Sequence, residues 1–346
     1  MHKPLASLSL DLDNQWTYMK IHGDQGWDQY PSYLDAFVPH VVDVLNKLNL
    51  KITFFIVGRD AALEKNKDYL QELVRNGHEL GNHSFNHESW LHTFSREKIT
   101  EEIAFTEEAI EKATGQLTKG FRGPGFSWSP GLLEVLKERG YHFDASTLPT
   151  YIGPLARMYY FRTAKLSKEE RETRKELFGT FSDGLRPVKP YLWELPGEET
   201  IMEIPVTTIP VIKIPFHFSY LLYLSGLSLR LMDLYLNLAI RLCQLTRTRP
   251  SYLLHPLDLI GGDQIPQLKF FPGMDISSER KVEVFNHVME KLNRHFQLTN
   301  MSKYYESLME SHHSGKRPMK TRDPKTSEKN LPVQKDHGIK KITHHA

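Results

Sequence analysis

The sequence predicts an α/β protein, a parallel sheet or (β/α) barrel with its helices packed outside. Two features predict it. Over roughly the first 145 residues, short apolar runs rich in β-branched and aromatic residues alternate with longer stretches of helical periodicity. One such run, Ile52–Val57 (ITFFIV), is apolar at every position, as a strand covered on both faces should be. The 346 residues admit a barrel with room for a cap and a tail.

Taken in order, Leu5–Leu12 reads as a strand running into Asp11 and Asp13. Phe37, Val38, Val41, Val42, Leu45 and Leu48 recur at helical spacing before the Ile52–Val57 strand. Ala61–Arg75 is expected to be one helix, stopped by Asn76-Gly77. HELGNH, beginning at His78, is strand-like. Ser95 is placed to cap a helix over Arg96–Ala113 that Gly115 ends. Lys119–Arg122, a helix from Pro130 to Arg139, and Tyr141–Ala145 continue the alternation. Regularity fades between 150 and 250, which is expected to be a cap or insertion. Inside it, Ser167–Lys175 is a charge run, read as a solvated helix or loop, and Met202–Val206 is a strand. Leu221–Leu245 reads as a helix pair with Leu227, Leu231, Leu234 and Leu238 on one face. Arg230, Asp233, Asn237, Arg241 and Gln244 form a polar stripe opposite. Tyr252–His255 resumes the barrel pattern and Ser278–Phe296 is the last helix. The organisation is therefore one barrel domain, 1–311, containing the 150–250 cap, followed by a disordered tail, 312–346, without periodicity.

Composition narrows the function classes. Lys+Arg 44 against Asp+Glu 42 leaves +2, and such a weak field does not argue for a nucleic-acid partner. Hydrophobic residues at 40% are enough for a proper core. Cys243 is the single cysteine, which excludes an internal disulfide and every multi-cysteine metal site, so metal chemistry must rest on histidine and carboxylate. No apolar core of signal-peptide length precedes Asp11, and Phe216–Leu229, the longest charge-free apolar run, is short for a membrane span. The expected location is the cytoplasm, including the inner membrane face.

Four groups of residues carry chemistry. Asp11 and Asp13, two apart at a strand end, project to the same face, where paired carboxylates suit a cation or base catalysis. His83 and His87 are four apart, a spacing that brings two imidazoles to one side of a helical turn. With Asp13 they make a two-histidine, one-carboxylate set. Arg122-Gly123-Pro124-Gly125 follows a short strand, so an arginine stands ready to pair with an aspartate and a glycine N–H to reach an oxyanion. His255 leaves an apolar strand, with Asp258 close by, as a candidate general acid.

SLDLDN, ITFFIVG, HELGNHSFNH, FRGPGF and YLLHPLD occur in the order seen in polysaccharide deacetylases of the NodB-homology type, carbohydrate esterase family four, and the chain resembles a divergent branch of that superfamily. The resemblance runs through Leu5–Ala145 and resumes at Tyr252–Gly261. It implies a deformed (β/α) barrel and a hydrolase that removes an acyl group, usually acetyl, from amino sugars with a divalent metal. It further implies Asp13, His83 and His87 as metal ligands, with zinc the default and cobalt, nickel or iron compatible. Asp11 would be the general base, held ionised by Arg122; His255 would protonate the departing amine. Gly125 and Phe126 would border the oxyanion and substrate. Leu12 separates aspartates that are usually adjacent in the family, so Asp11 and Asp13 could exchange roles. Asp144 and Asp258 are candidates for the partner of His255.

The implied partner is an amino sugar, glycan or glycolipid, with peripheral membrane contact through residues 216–245 as a further expectation. Two other readings stand beside the deacetylase: a hydrolase of a non-sugar amide or formamide on the same site, and a non-catalytic carbohydrate-binding protein. A general base and acid flanking a metal set have no use in a binding module.

Overall fold

The structure, a computed structural model, describes residues 3–152 and 181–325. Its strands are β1 (Leu5–Leu12), β2 (Thr53–Ile56), β3 (Glu79–Asn82), β4 (Gly120–Phe121), β5 (Phe143–Asp144), β6 (Tyr191–Leu195), β7 (Glu199–Glu203), β8 (Ser251–Leu254), β9 (Gln297–Thr299) and β10 (Thr321–Arg322). They form one sheet in the order β10-β6-β7-β5-β4-β3-β2-β1-β8, with β9 on the first residues of β1. Every pairing is parallel except β6 with β7. The path bends back on itself just beyond β7. There the Thr207 N–H donates to the Ser251 carbonyl (3.0 Å) and the Ser251 N–H donates to Thr207 Oγ1 (2.7 Å). The result is a deformed barrel.

The helices are α1 (Gln15–His22), α2 (Leu34–Lys47), α3 (Gly58–Ala62), α4 (Lys67–Arg75), α5 (Arg96–Thr114), α6 (Pro130–Glu138), α7 (Phe218–Leu227), α8 (Leu229–Leu245), α9 (Ser278–His295) and α10 (Met301–His313). The alternation along β2 explains why its sequence is apolar throughout. Phe54 and Ile56 join Leu8, Leu10 and the α2 residues in one core, whereas Phe55 points into the barrel beside Phe143, Ala145 and Met301. Burial of each such side chain is worth roughly 1.5–3 kcal/mol. Helix α5 starts where expected: Ser95 Oγ accepts the Lys98 N–H, and Gly115 closes it with a left-handed φ of 76°.

Several expectations change. The helix predicted over Ala61–Arg75 is two helices, because Leu63 is extended (φ −90°, ψ 118°) between α3 and α4. The buried Asn66 side chain there donates to the Asp60 carbonyl and to Asp60 Oδ1, bonds that outcompete helix continuation. Part of the 150–250 stretch belongs to the barrel itself, since β6 and β7 extend the sheet from β5. The predicted tail is ordered at its start: α10 runs to His313, and β10 pairs with Leu192 and Trp193 of β6. Ser167–Lys175 and residues 326–346 lie outside the described residues. Ser228, with φ −167°, separates α7 from α8 and caps the latter. The leucine face of that pair points outward: Leu227, Leu234 and Leu238 are exposed, while Met232, Leu236, Ile240 and Cys243 are buried. The polar stripe faces α9 through Asp233, which meets Lys291 and His287 at 2.7 Å each. Among the described residues no helix is long and apolar enough to cross a membrane.

A buried acid pair lies inside the sheet. Asp144 and Glu203 stand in register on β5 and β7, both fully buried. Burial first, and then the facing Asp144, raises the Glu203 carboxyl well above the usual range. Asp144 is pushed up to about 6, chiefly by burial. The native state thus keeps a proton that the unfolded chain gives up as pH rises past about 4, so this pair subtracts stability above that value. Glu203→Gln removes the charge to be avoided. Denaturant titrations are expected to find variant and wild type alike near pH 4, with the variant gaining up to about 1.4 kcal/mol per pH unit toward neutrality. A gap independent of pH would contradict the assignment.

Candidate metal centre and catalytic pocket

The barrel's mouth, where the strands end, opens into a cavity of about 800 Å³. Strand β1 delivers Asp11 and, one residue past its end, Asp13, both lining that cavity as the two-residue period requires. Neighbouring residues hold Asp13 in place. Asn14 caps α1 and donates to Asp60 Oδ1 (2.7 Å), which also accepts the Trp16 indole N–H (3.0 Å), and the Tyr33 hydroxyl donates to the Asp13 carbonyl. Burial pushes the Asp60 carboxyl up to about 7.

His83 and His87 follow β3 and line the same cavity, but not on a helix. The segment is a loop in which Ser84 (φ 58°) and His87 (φ 53°) are left-handed. The Asn82 side chain accepts the Ser84 N–H (2.9 Å), competing with any helical turn. From α5, the buried Glu102 carboxylate accepts the Phe85 N–H (2.8 Å), the Asn86 N–H (2.9 Å) and the Asn86 side-chain amide (2.6 Å). The four-residue spacing therefore brings the imidazoles together by a strapped loop, with ring centroids 5.1 Å apart.

Asp13 Oδ1 lies 2.9 Å from His87 Nε2 and 3.6 Å from His83 Nε2. Yet this oxygen is buried without a hydrogen bond of good geometry. Three ligand atoms, one each from Asp13, His83 and His87, lie within 4.8 Å of one another. A buried carboxylate oxygen left unbonded among converging imidazole nitrogens is what a divalent cation would satisfy. The outer contacts agree: His83 Nδ1 meets the Arg122 carbonyl at 2.6 Å, which fixes the ring with Nε2 toward Asp13. Burial alone would raise the Asp13 carboxyl, but His87 and His83 outweigh it and hold it well below the usual carboxylate range.

Arg122 is fully buried inside the barrel. Its Nη1 donates to Asp11 Oδ1 (2.7 Å) and to Ser9 Oγ (2.9 Å), its Nε donates to the Ala145 carbonyl (3.0 Å), and its guanidinium lies over the Phe55 ring at 4.4 Å. Gly125 and Phe126 border the cavity in consecutive left-handed conformations, φ 60° and 61°. The glycine suits this; the phenylalanine holds it at a cost typical of functional turns.

His255 lines the opposite flank. The Asp258 carboxylate does not bond its ring: Nδ1 is 3.9 Å from Oδ2, and that oxygen instead accepts the His255 backbone N–H at 2.8 Å, while the His255 side chain accepts the Asp258 backbone N–H. Lys281, fully buried on α9, donates to the Leu257 (2.6 Å) and Ile260 (2.9 Å) carbonyls and fixes the loop after β8. Asp144, a candidate partner of His255, does not line the cavity. It accepts from Ser146, whose hydroxyl accepts the Gly123 N–H, so it braces the Arg122–Gly125 turn.

Sequence reasoning missed Glu102, Asp60, Lys281 and His217. A carboxylate on the apolar stripe of α5, between Ile99 and Ile103, was a readable signal for Glu102. His217 carried none. It is buried with its ring centroid 6.3 Å from that of His255 and is pushed down to about 3, by burial first and then by His255 and Arg122. Trp128 and Trp193 stack on each other at 4.8 Å away from the cavity, a packing role.

Fold and cluster together define an α/β barrel bearing an Asp-His-His set, its two histidines buried, at the ends of its parallel strands. Residues 24–143 match the polysaccharide deacetylase family. A peptidoglycan-N-acetylglucosamine deacetylase of Bacillus cereus is 28% identical over 139 residues, 40% of this chain and 61% of that protein. A chitin deacetylase of Colletotrichum lindemuthianum is 30% identical over 118 residues, 33% of this chain and 47% of that one. A solved structure of a Mycobacterium smegmatis protein assigned to the polysaccharide deacetylases shares the fold, with a TM-score of 0.53 over 90% of this chain and 92% of that one at 16% identity. Over residues 24–143 the chain is similar to the polysaccharide deacetylases, and its fold is theirs. It spans less than two thirds of the length of these curated relatives.

Proposed function

We propose that the chain is a metal-dependent hydrolase that removes an N-acyl group, most simply acetyl, from an amino sugar. The observation that carries this is the convergence of Asp13, His83 and His87 in a cavity that also presents Asp11 and His255. A divalent cation on those three residues, zinc being the natural choice for two nitrogens and an oxygen, supplies Lewis acidity toward the acyl carbonyl and lowers the pKa of water. Asp11, oriented by the guanidinium 2.7 Å away, takes the proton of the attacking water. The Gly125 N–H, at the rim of the cavity, stabilises the developing oxyanion. His255, on the opposite flank, protonates the departing amine. Relatives named for peptidoglycan and chitin deacetylation support an N-acetylated amino sugar as the substrate class.

The test is acetate and free-amine release by the zinc-loaded full chain from N-acetylglucosamine oligomers, beside N-formyl amino sugars and non-sugar amides. Hydrolysis of the acetylated sugars is expected. Turnover confined to non-sugar amides would move the activity to another carbon–nitrogen hydrolase, and turnover of nothing in the panel would overturn the reading.

A further inference from the structure

The cavity has two chemically different ends. Its floor carries Asp11, Asp13, His83 and His87, whereas a long wall is built from Leu222, Tyr223 and Leu227 of α7 with Leu257, Phe271 and Ile276. That lining runs from inside to outside: Leu222 and Leu257 are 4% and 6% exposed, Phe271 and Leu227 36% and 64%. Helix α8, which follows α7 in the chain, carries exposed Leu231 and Leu234. A subsite for a sugar chain needs donors and acceptors to replace the water lost from each hydroxyl. On this wall the Ser219 hydroxyl is already engaged, donating to Asp258 Oδ1 at 2.7 Å, and the other polar groups, the Tyr223 hydroxyl and the Asp275 carboxylate, belong to exposed residues. Leucine and phenylalanine side chains would leave sugar hydroxyls dehydrated and unpaired, but they match a hydrocarbon chain.

Strand order says which half of the substrate meets this wall. His255 follows β8, on the flank of β1 away from β2, and Gly125 follows β4, beyond β3. Helix α7 sits on the His255 side: Ser219 bonds the same Asp258 that accepts the His255 N–H, and His217 packs beside the His255 ring. With His255 acting on the leaving nitrogen, the apolar wall flanks the amine half of the amide, not the acyl half.

We infer that the substrate is an amphiphile, a short-chain N-acyl amino sugar whose amine-bearing half carries an aliphatic chain lying along α7. This rests on the deacylase reading above for its orientation. The hydrocarbon end is held by burial alone, and the amide is thereby directed to the Asp13, His83 and His87 floor.

The experiment compares three probes with the zinc-loaded full chain, below their micellar concentrations: methyl β-N-acetylglucosaminide, octyl β-N-acetylglucosaminide, and a methyl glucosaminide bearing N-octanoyl in place of acetyl. Full burial is worth roughly fourfold per methylene, so even partial burial of the octyl chain is expected to raise kcat/KM at least about 100-fold over the methyl glycoside, mainly through KM. The N-octanoyl compound gains no such advantage. Methyl and octyl glycosides turned over alike, or a preference for N-octanoyl, would overturn the inference. Calorimetric binding of the two acetylglucosaminides separates the two readings. Octyl bound at least about 100-fold tighter, with no turnover of either, retains the chain site and overturns the hydrolase. Equal binding with turnover overturns the chain site alone. Leu227→Asp, at an exposed position that does not endanger folding, is expected to cut the octyl advantage at least about tenfold. An unchanged advantage would remove the chain from α7.

Discussion

Asp13→Ala and His83→Ala are each expected to abolish metal retention: about one equivalent of zinc on the loaded wild type after desalting, under a tenth in either variant, measured by mass spectrometry. Each variant removes one of the three proposed ligands, whose donor atoms converge within 4.8 Å, and two ligands do not hold a divalent ion against dilution. Asp11→Asn is the contrast. The amide oxygen still accepts the Arg122 hydrogen bond and the three ligands remain, so zinc is kept while amide hydrolysis falls about 10²–10⁴-fold. Should Asp11→Asn lose zinc and Asp13→Ala keep it, the two aspartates have exchanged roles. A wild type that takes up no zinc would remove the mechanism altogether.

The second large effect concerns folding. Arg122→Met is expected to lower stability by about 3–5 kcal/mol, read as a shift of the denaturant midpoint at unchanged slope. The reason is what the substitution leaves behind. Asp11 loses its 2.7 Å partner in a barrel interior, and the Ala145 carbonyl loses its donor. Arg122→Lys keeps the charge without the forked contacts and is expected to recover part of the loss. The double variant Arg122→Met, Asp11→Leu is expected to cost less than the sum of its singles, since no uncompensated carboxylate remains. Purely additive losses would mean that the pair is not coupled.

Both predictions rest on residues that the sequence made readable, for different reasons. Asp11 and Asp13 were assigned to one face because a strand has a period of two wherever it is placed, and β1 keeps that period to its end. His83 and His87 were found by spacing, but the helical turn imagined for them is a loop with two left-handed residues, strapped by Glu102 from α5. The spacing marks the pair; the distant carboxylate shapes it.

Local physics, then, was written in the chain: the strand periods, the Ser95 and Gly115 ends of α5, the alternation that makes a parallel barrel, and the three residues, Asp13, His83 and His87, that the fold brings together. What only the tertiary structure decided are matters of long-range partnership. Asp144 turned from His255 to a buried pairing with Glu203, because β7 rather than a loop lies against β5. The leucine face of α8 was left outside, because Asp233 on the other stripe meets Lys291 and His287 of α9 while Met232, Leu236 and Ile240 fill the core. Periodicity reports that a helix has two faces. Which one is buried depends on what the rest of the chain brings against it.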